Sequence, residues 1–351
     1  MKKFLAIAAA LVCCAPMLVA CGGEQRPEGE IAGQYVEMTA AELKEKLDKL
    51  EPEKLFGNAS SENQAFGVQA DANIEASADT QTVESGKFVT LLKADLRAES
   101  DTQITLTPSE RETALGGWDV KGKSIDKIKG ELGPSYLLGI DGTKDIDYEI
   151  SAYADDGNLY FQIPDMSALS AEILSEGKYS ASFDYIMDLV TDFLPESFFS
   201  ALSGDMDLAE KAKEYKLKSY ADETDGLKIK LSANDESFYA ILQSLTGSSE
   251  ESVKESATFG TFSLDFYFEA DKDGAFVKAG LVADIDGELK FGADGLFEDS
   301  PVINGPVKLK ADIAVKRSEN EIVLPTEAEL ESYKKLPVQS PSARGSRSAK
   351  K

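Results

Sequence analysis

The chain of 351 residues carries 63 acidic against 37 basic side chains, a formal net charge of −26, and no histidine at all. A body this acidic repels phosphate backbones and anionic headgroups, which excludes nucleic acid as a partner. Without imidazole, Ser-His-Asp and Cys-His nucleophilic sites, histidine acid–base catalysis and histidine-ligated metals are excluded too; carboxylate pairs and oxygen-ligated calcium are what survive.

Lys2 and Lys3 precede an uncharged apolar stretch from Phe4 to Ala15, and Pro16 then breaks any helix. That layout predicts a secretory signal peptide over residues 1–20, too short to span a bilayer. Its end, Leu18-Val19-Ala20-Cys21-Gly22, resembles the lipobox of bacterial lipoprotein precursors. The resemblance implies cleavage before Cys21 and lipidation of that cysteine by a diacylglyceryl group and acyl chains such as palmitate. Two or more such chains hold a protein stably at a membrane. The expectation is an extracytoplasmic lipoprotein of the cell envelope, anchored to the cell membrane or outer membrane through Cys21 and not crossing it. Cys13 and Cys14 leave with the signal, so the mature domain is expected to rely on an ordinary core without disulfides.

Residues 21–38, rich in Gly, Glu and Pro, read as a flexible tether. Thr39-Ala40-Ala41-Glu42 is a capping box that predicts a helix carrying Leu43, Leu47 and Leu50 on one face. From Phe66 the period falls to two. Val68, Ala70, Ala72, Ile74, Ala76 and Ala78 alternate with polar residues, and after a turn near Gly86 so do Leu92, Ala94, Leu96 and Ala98. This predicts an antiparallel hairpin with one wet face. Further strands are expected near 102–107, 124–132, 146–154 and 159–163. Helices are expected at 167–176, 183–194 and 207–214, then a hairpin over 215–231 and a helix at 236–245. Strands resume at 259–269, 275–285, 288–297 and 307–315, before a short helix near Thr326. Asp-Gly at 156, 225, 273 and 286 falls between alternating runs, where it favours type I′ hairpin turns. Residues 337–351, dominated by Ser, Pro, Gly and basic residues, read as a disordered basic tail.

No strand–helix–strand alternation of parallel sheets is present, which argues against nucleotide-binding and solute-binding α/β folds. The order of helix, meander, helices, hairpin, helix and second meander behind a lipobox resembles the LolA/LppX-type lipoprotein family over residues 40–335. The resemblance implies one α+β domain over 39–336: a large curved antiparallel sheet, an open half-barrel, with helices packed on its concave face. It also implies a place for acyl chains or lipidated cargo between sheet and helices.

The alanine-rich strand faces leave room above a sheet, filled either by closely packed helices or by an apolar ligand. If by ligand, Ala70, Ala72, Ile74, Leu92, Ala94, Leu96, Phe262, Phe266, Ala279 and Leu281 are the candidate lining, and Phe193, Leu194, Phe198 and Phe199 a candidate lid. Asp184, Asp188 and Asp192 recur on one predicted helix face but offer too few oxygens for calcium. Glu269 to Gly274 imitates the start of a calcium loop but lacks its final acid, and reads as a hairpin turn. Trp118 reads as the closure of one end of a core or as a stacking platform. No catalytic residues, metal site or cofactor are assigned. The leading expectation is a non-enzymatic envelope interaction or structural protein whose partners are the membrane and an envelope protein. The alternative is a carrier of lipid or another hydrophobic ligand.

Overall fold

The computed structural model describes residues 27–55, 65–84, 87–108, 118–135, 139–155, 157–165, 176–183, 208–246, 249–291 and 303–336. Cys21 and the signal region, the helices expected at 167–176 and 183–194 with their aspartates, the lid residues Phe193, Leu194, Phe198 and Phe199, and the basic tail lie outside them, save for a few bordering positions. In chain order the strands are β1 (Val36–Met38), β2 (Phe66–Glu84), β3 (Lys87–Pro108), β4 (Trp118–Leu132), β5 (Lys144–Asp155), β6 (Asn158–Ile163), β7 (Gly177–Ser182), β8 (Lys218–Asp222), β9 (Leu227–Ala233), β10 (Ala257–Ala270), β11 (Phe276–Phe291), β12 (Ile303–Arg317) and β13 (Lys334–Lys335). The helices are α1 (Ala40–Asp48), α2 (Pro52–Leu55), α3 (Leu208–Glu214), α4 (Asp235–Thr246), α5 (Glu250–Ser256) and α6 (Glu327–Glu331).

All thirteen strands join one sheet in the order β1-β8-β9-β10-β11-β12-β2-β3-β4-β5-β6-β7-β13. Its two ends do not meet, so the sheet is open. Pairing is antiparallel except where β13 runs parallel to β7. The alternation read in the sequence explains the long central strands, since each buries one side of its pleat. Two expected breaks are absent. Residues 88–98 and 102–107 form a single strand, β3, because Ser100 and Thr102 find hydroxyl and carboxylate partners on β4. Asp286-Gly287, expected as a turn, lies inside β11. There Asp286 pairs with Lys308 of β12 at 2.7 Å, and the ring of Phe259 on β10 occupies the space a Cβ on Gly287 would need. The turns at Gly157, Gly226 and Gly274 do connect successive strands, each glycine with positive φ.

Helices α1, α3 and α4 gather on the apolar face near β8–β10. The capping box at Thr39 forms as expected and starts α1, whose buried Leu43 packs with Ala209 and Ala212 of α3 against Ile229 of β9. Phe238 of α4 meets Phe259 and Phe262 of β10 at ring-centroid distances of 5.0 and 5.5 Å. The register shift between Phe259 and Thr261 brings both phenylalanines to that face.

The expected flexible tether is corrected for residues 27–38, which form a strap across the opposite, polar face. The Glu28 and Gly29 amides donate to the Asp312 carboxylate of β12 at 2.7 and 2.5 Å. Lys278 of β11 donates to the Glu28 and Glu30 carbonyls, and Lys228 of β9 to that of Ala32. Ile31 is buried, Tyr35 packs on Tyr267 of β10, and the Gln34 amide donates to Asp222 of β8 at 2.8 Å. The strap then turns round the edge and pairs with β8 as β1. Its crossing needs glycine on both sides: a Cβ on Gly280 would fall on the Gly29 carbonyl, and one on Gly29 would fall on the Ile313 carbonyl.

Gly280→Val should therefore displace the strap and destabilise the fold by about 1–3 kcal/mol, the scale of the bonds lost. Urea unfolding would measure the loss, and faster proteolysis within residues 27–35 would localise it. Asp222 gives a second check. Hydrogen bonds from the Thr224 hydroxyl and amide and from the Gln34 amide hold its carboxyl down to about 2, against an ordinary 3.8. A lowered folded pKa contributes stability above the unfolded value and loses it as pH falls through the folded one. Urea midpoints of wild type and Asp222→Asn should differ above pH 4 and converge as pH approaches 2; parallel curves would show that Asp222 does not anchor the strap.

Candidate functional site

Register places all ten candidate lining residues on one face of the sheet. Reading across from β9, Leu231 stands opposite Phe266, Phe266 opposite Leu281, Leu281 opposite Ile313, and Ile313 opposite Ala72. A parallel row runs Phe268, Ala279, Val315 and Ala70. On the far side of β2, Ile74 faces Ala98, Ala76 faces Leu96, Ala78 faces Ala94 and Thr80 faces Leu92; Phe262 lies on the same face opposite Ile285. The surface is apolar and continuous over β9, β10, β11, β12, β2 and β3.

Burial along it is uneven. Of the ten residues Ala72 is buried, Phe266 is 39% exposed and the other eight are half-buried. Ala98, Ala283 and Ala311 in the middle of the same face are buried too, and packed clusters flank it: Phe66, Val68, Leu106 and Val315, against which Ala70 and Ala279 pack; Leu132, Ile140, Ile146 and Tyr148, against which Ala94 and Leu96 pack; and the α1–α3 cluster at the β9 side. Among the described residues no helix makes an extensive contact with β2, β3 or β4.

Four polar side chains interrupt the apolar face, and alternation had hidden them. Ser100 and Thr102 of β3 stand opposite Asp126 and Ser124 of β4. The Ser100 and Ser124 hydroxyls each donate to Asp126 Oδ1 at 2.8 Å, and the Thr102 hydroxyl lies 2.7 Å from that of Ser124 and 3.1 Å from that of Ser100, free to donate to one of them. Burial pushes the Asp126 carboxyl up, and the two serine hydroxyls oppose that shift. The available sequence signal was a run of polar residues at positions whose parity, set by Ala98 and Ile104, points to the apolar side. Beyond Ile128 on the same face, the buried Tyr148 hydroxyl has no hydrogen-bond partner among the described residues.

A cleft of about 650 Å³ lies elsewhere, between α1, β1 and the β8–β9 turn, lined by Glu37, Glu42, Glu45, Lys46, Asp222 and Glu223 among others. Four of its five acids have structural partners: Glu42 caps α1, Glu45 pairs with Lys49, Glu223 with Lys46, and Asp222 holds the strap and Thr224. The calcium-like segment is a hairpin turn whose Asp271 carboxylate accepts the Asp273 and Ala275 amides. Trp118 opens β4, paired with Pro108.

Removing the orphaned hydroxyl should relieve a desolvation cost, so Tyr148→Phe is expected to stabilise the protein by about 1 kcal/mol in urea unfolding. A loss of that size would mean that the hydroxyl is satisfied. In comparison with known proteins, the chain matches no family model, and no curated protein is significantly similar to it in sequence.

Proposed function

We propose that this is a non-enzymatic, extracytoplasmic lipoprotein, tethered through Cys21, whose open sheet face carries an apolar ligand such as the acyl chains of a lipid. The observation that carries the reading is the single apolar face, nine of whose ten candidate lining residues keep exposed surface. Contiguous apolar area of this kind is costly in water and marks a binding surface. The element order that resembles the LolA/LppX family supports it. In that reading α1, α3 and α4 sit on the concave side of a half-barrel and wall one flank of the ligand space.

A second reading, a tethered interaction or structural component of the envelope, draws on a different place. Val83 and Phe88 face each other across the tip of the β2–β3 hairpin and are 42% and 66% exposed, an apolar pair suited to a protein partner.

The deciding experiment is native mass spectrometry of residues 22–351, which contain every described element, purified gently from bacterial cells and followed by lipid extraction. The carrier reading expects a stoichiometric adduct that resolves to phospholipid or acylated glycolipid. Ala76→Trp, which fills half-open space between Leu96 and Leu309, should lose the adduct while keeping its far-ultraviolet circular dichroism. A clean unliganded mass, unchanged after incubation with mixed lipids, would overturn the carrier reading and leave the interaction module in front.

A further inference from the structure

We propose that the polar face of the sheet, at the end where the N-terminal strap enters it, lies against the headgroup layer of the membrane that holds Cys21. The inference rests on the tether through Cys21 and deepens that reading by naming the surface that meets the bilayer.

Chain length comes first. Six steps of chain separate Cys21 from Pro27, the first described residue. At no more than about 3.6 Å each they span roughly 20 Å, however they are arranged. The next residue is fixed to β12: the Glu28 amide donates to Asp312, and Lys316 donates to the Glu28 carboxylate. In sheet order β12 stands five steps from the β1 edge and seven from the β13 edge. At about 4.8 Å a step those edges are roughly 24 and 34 Å away. A sheet standing on either edge would therefore hold Pro27 at or beyond the reach of the chain. Along the strand, Asp312 is about 17 Å from the Arg317 end of β12 and about 30 Å from the Ile303 end. The short leash thus brings down the polar face, and its Arg317 end first.

Side-chain chemistry selects the same end. On the polar face one register row runs Lys278, Lys316, Gln69, Gln103, Lys123 and Tyr153, with no acid in it. Toward the Ile303 end the row through Lys308 instead holds Asp286, Asp95, Glu131 and Asp145. Lysine suits phosphate-bearing headgroups by its charge, and tyrosine suits their depth by an apolar ring with a polar tip. Lys316 is paired with Glu28 and Asp71, so contact with the phosphates falls to Lys123 and to the exposed Lys121 beside it on β4. In a chain of net charge −26 the row without acids is the one an anionic surface tolerates, and repulsion turns the acidic end away. The apolar face and helices α1, α3 and α4 then look away from that bilayer.

The test uses the full chain, lipidated in bacterial cells and extracted from the membrane. It is reconstituted into vesicles of phosphatidylethanolamine and phosphatidylglycerol that contain a phospholipid with a nitroxide on its headgroup. Intact mass comes first: a chain without the diacylglyceryl and acyl additions would overturn the tether and this inference together, while ligand carriage would still be decided by native mass spectrometry. Cys13 and Cys14 leave with the signal and lipid blocks Cys21, so one introduced cysteine takes a fluorophore uniquely. Lys121→Cys reports the strap end of the polar face, Asp95→Cys its far end, and Gln243→Cys on α4 the opposite side; all three positions are exposed. The nitroxide quenches only at short range, so quenching should be several-fold stronger at position 121 than at 243, and weaker at 95 than at 121. Asp101→Cys, exposed on β3 toward the strap end, repeats the comparison if Lys121→Cys disturbs folding. A maximum at 95 or 243, or no difference among the positions, would overturn the orientation and leave the tether and the carrier reading standing.

Discussion

The pairing of β12 with β2 holds the two halves of the sheet together. It joins the run β8–β12 to the meander β2–β7, and it proceeds almost residue by residue from Arg317 opposite Val68 to Asn304 opposite Gln81. Side chains alternate with period two, so a slip of one position would set Ala311 against Asn73 and turn the apolar face of a whole half toward the polar side. The polar face helps to specify the correct register. Lys310 lies directly opposite Glu75, and Lys316 reaches Asp71 at 3.7 Å. Cross-strand pairs of opposite charge contribute roughly 0.2–1 kcal/mol each, so they select a register more than they stabilise a fold.

An open sheet has two edges, and both are finished by segments near the ends of the described chain. At one, the N-terminal strap crosses the polar face and lays three residues of β1 on β8. At the other, α6 leads into two residues of β13 on β7, with Tyr333 packed against Tyr160 at 5.6 Å. Short terminal strands of this kind present few free amides to another chain. Because the strap lies on the polar side, edge protection takes nothing from the apolar face.

Much of this architecture was legible in the sequence. Period-two alternation located the central strands, the Thr39 capping box located α1, and alanine at every second position of β2 named the face that the ten lining residues share. What was not legible depends on partners distant in the chain. The strap reads as a Gly/Glu/Pro linker until Asp312, Lys278 and Gly280 are brought beneath it. Gly287 reads as a turn residue until Phe259 of β10 covers it. Ser100, Thr102, Ser124 and Asp126 read as a strand break and ordinary surface, because their meaning lies in a register between β3 and β4 that no local pattern encodes. The edge strands β1 and β13 are too short for periodicity to register.

The choice of alanine over larger apolar residues on the open area follows from the same physics. Apolar surface left in water costs roughly 25 cal/mol per Å², so an exposed methyl group costs far less than an exposed leucine. The fold accordingly concentrates its large buried side chains in clusters such as those around Val68, Leu43 and Tyr148, with the half-buried Ala70 and Ala94 packed at their margins and Ala76 and Ala78 half-buried between them. The net charge of −26 opposes encounters between copies. A leucine-rich face would have required a permanent cover; an alanine-rich one tolerates water and still gains from an apolar ligand.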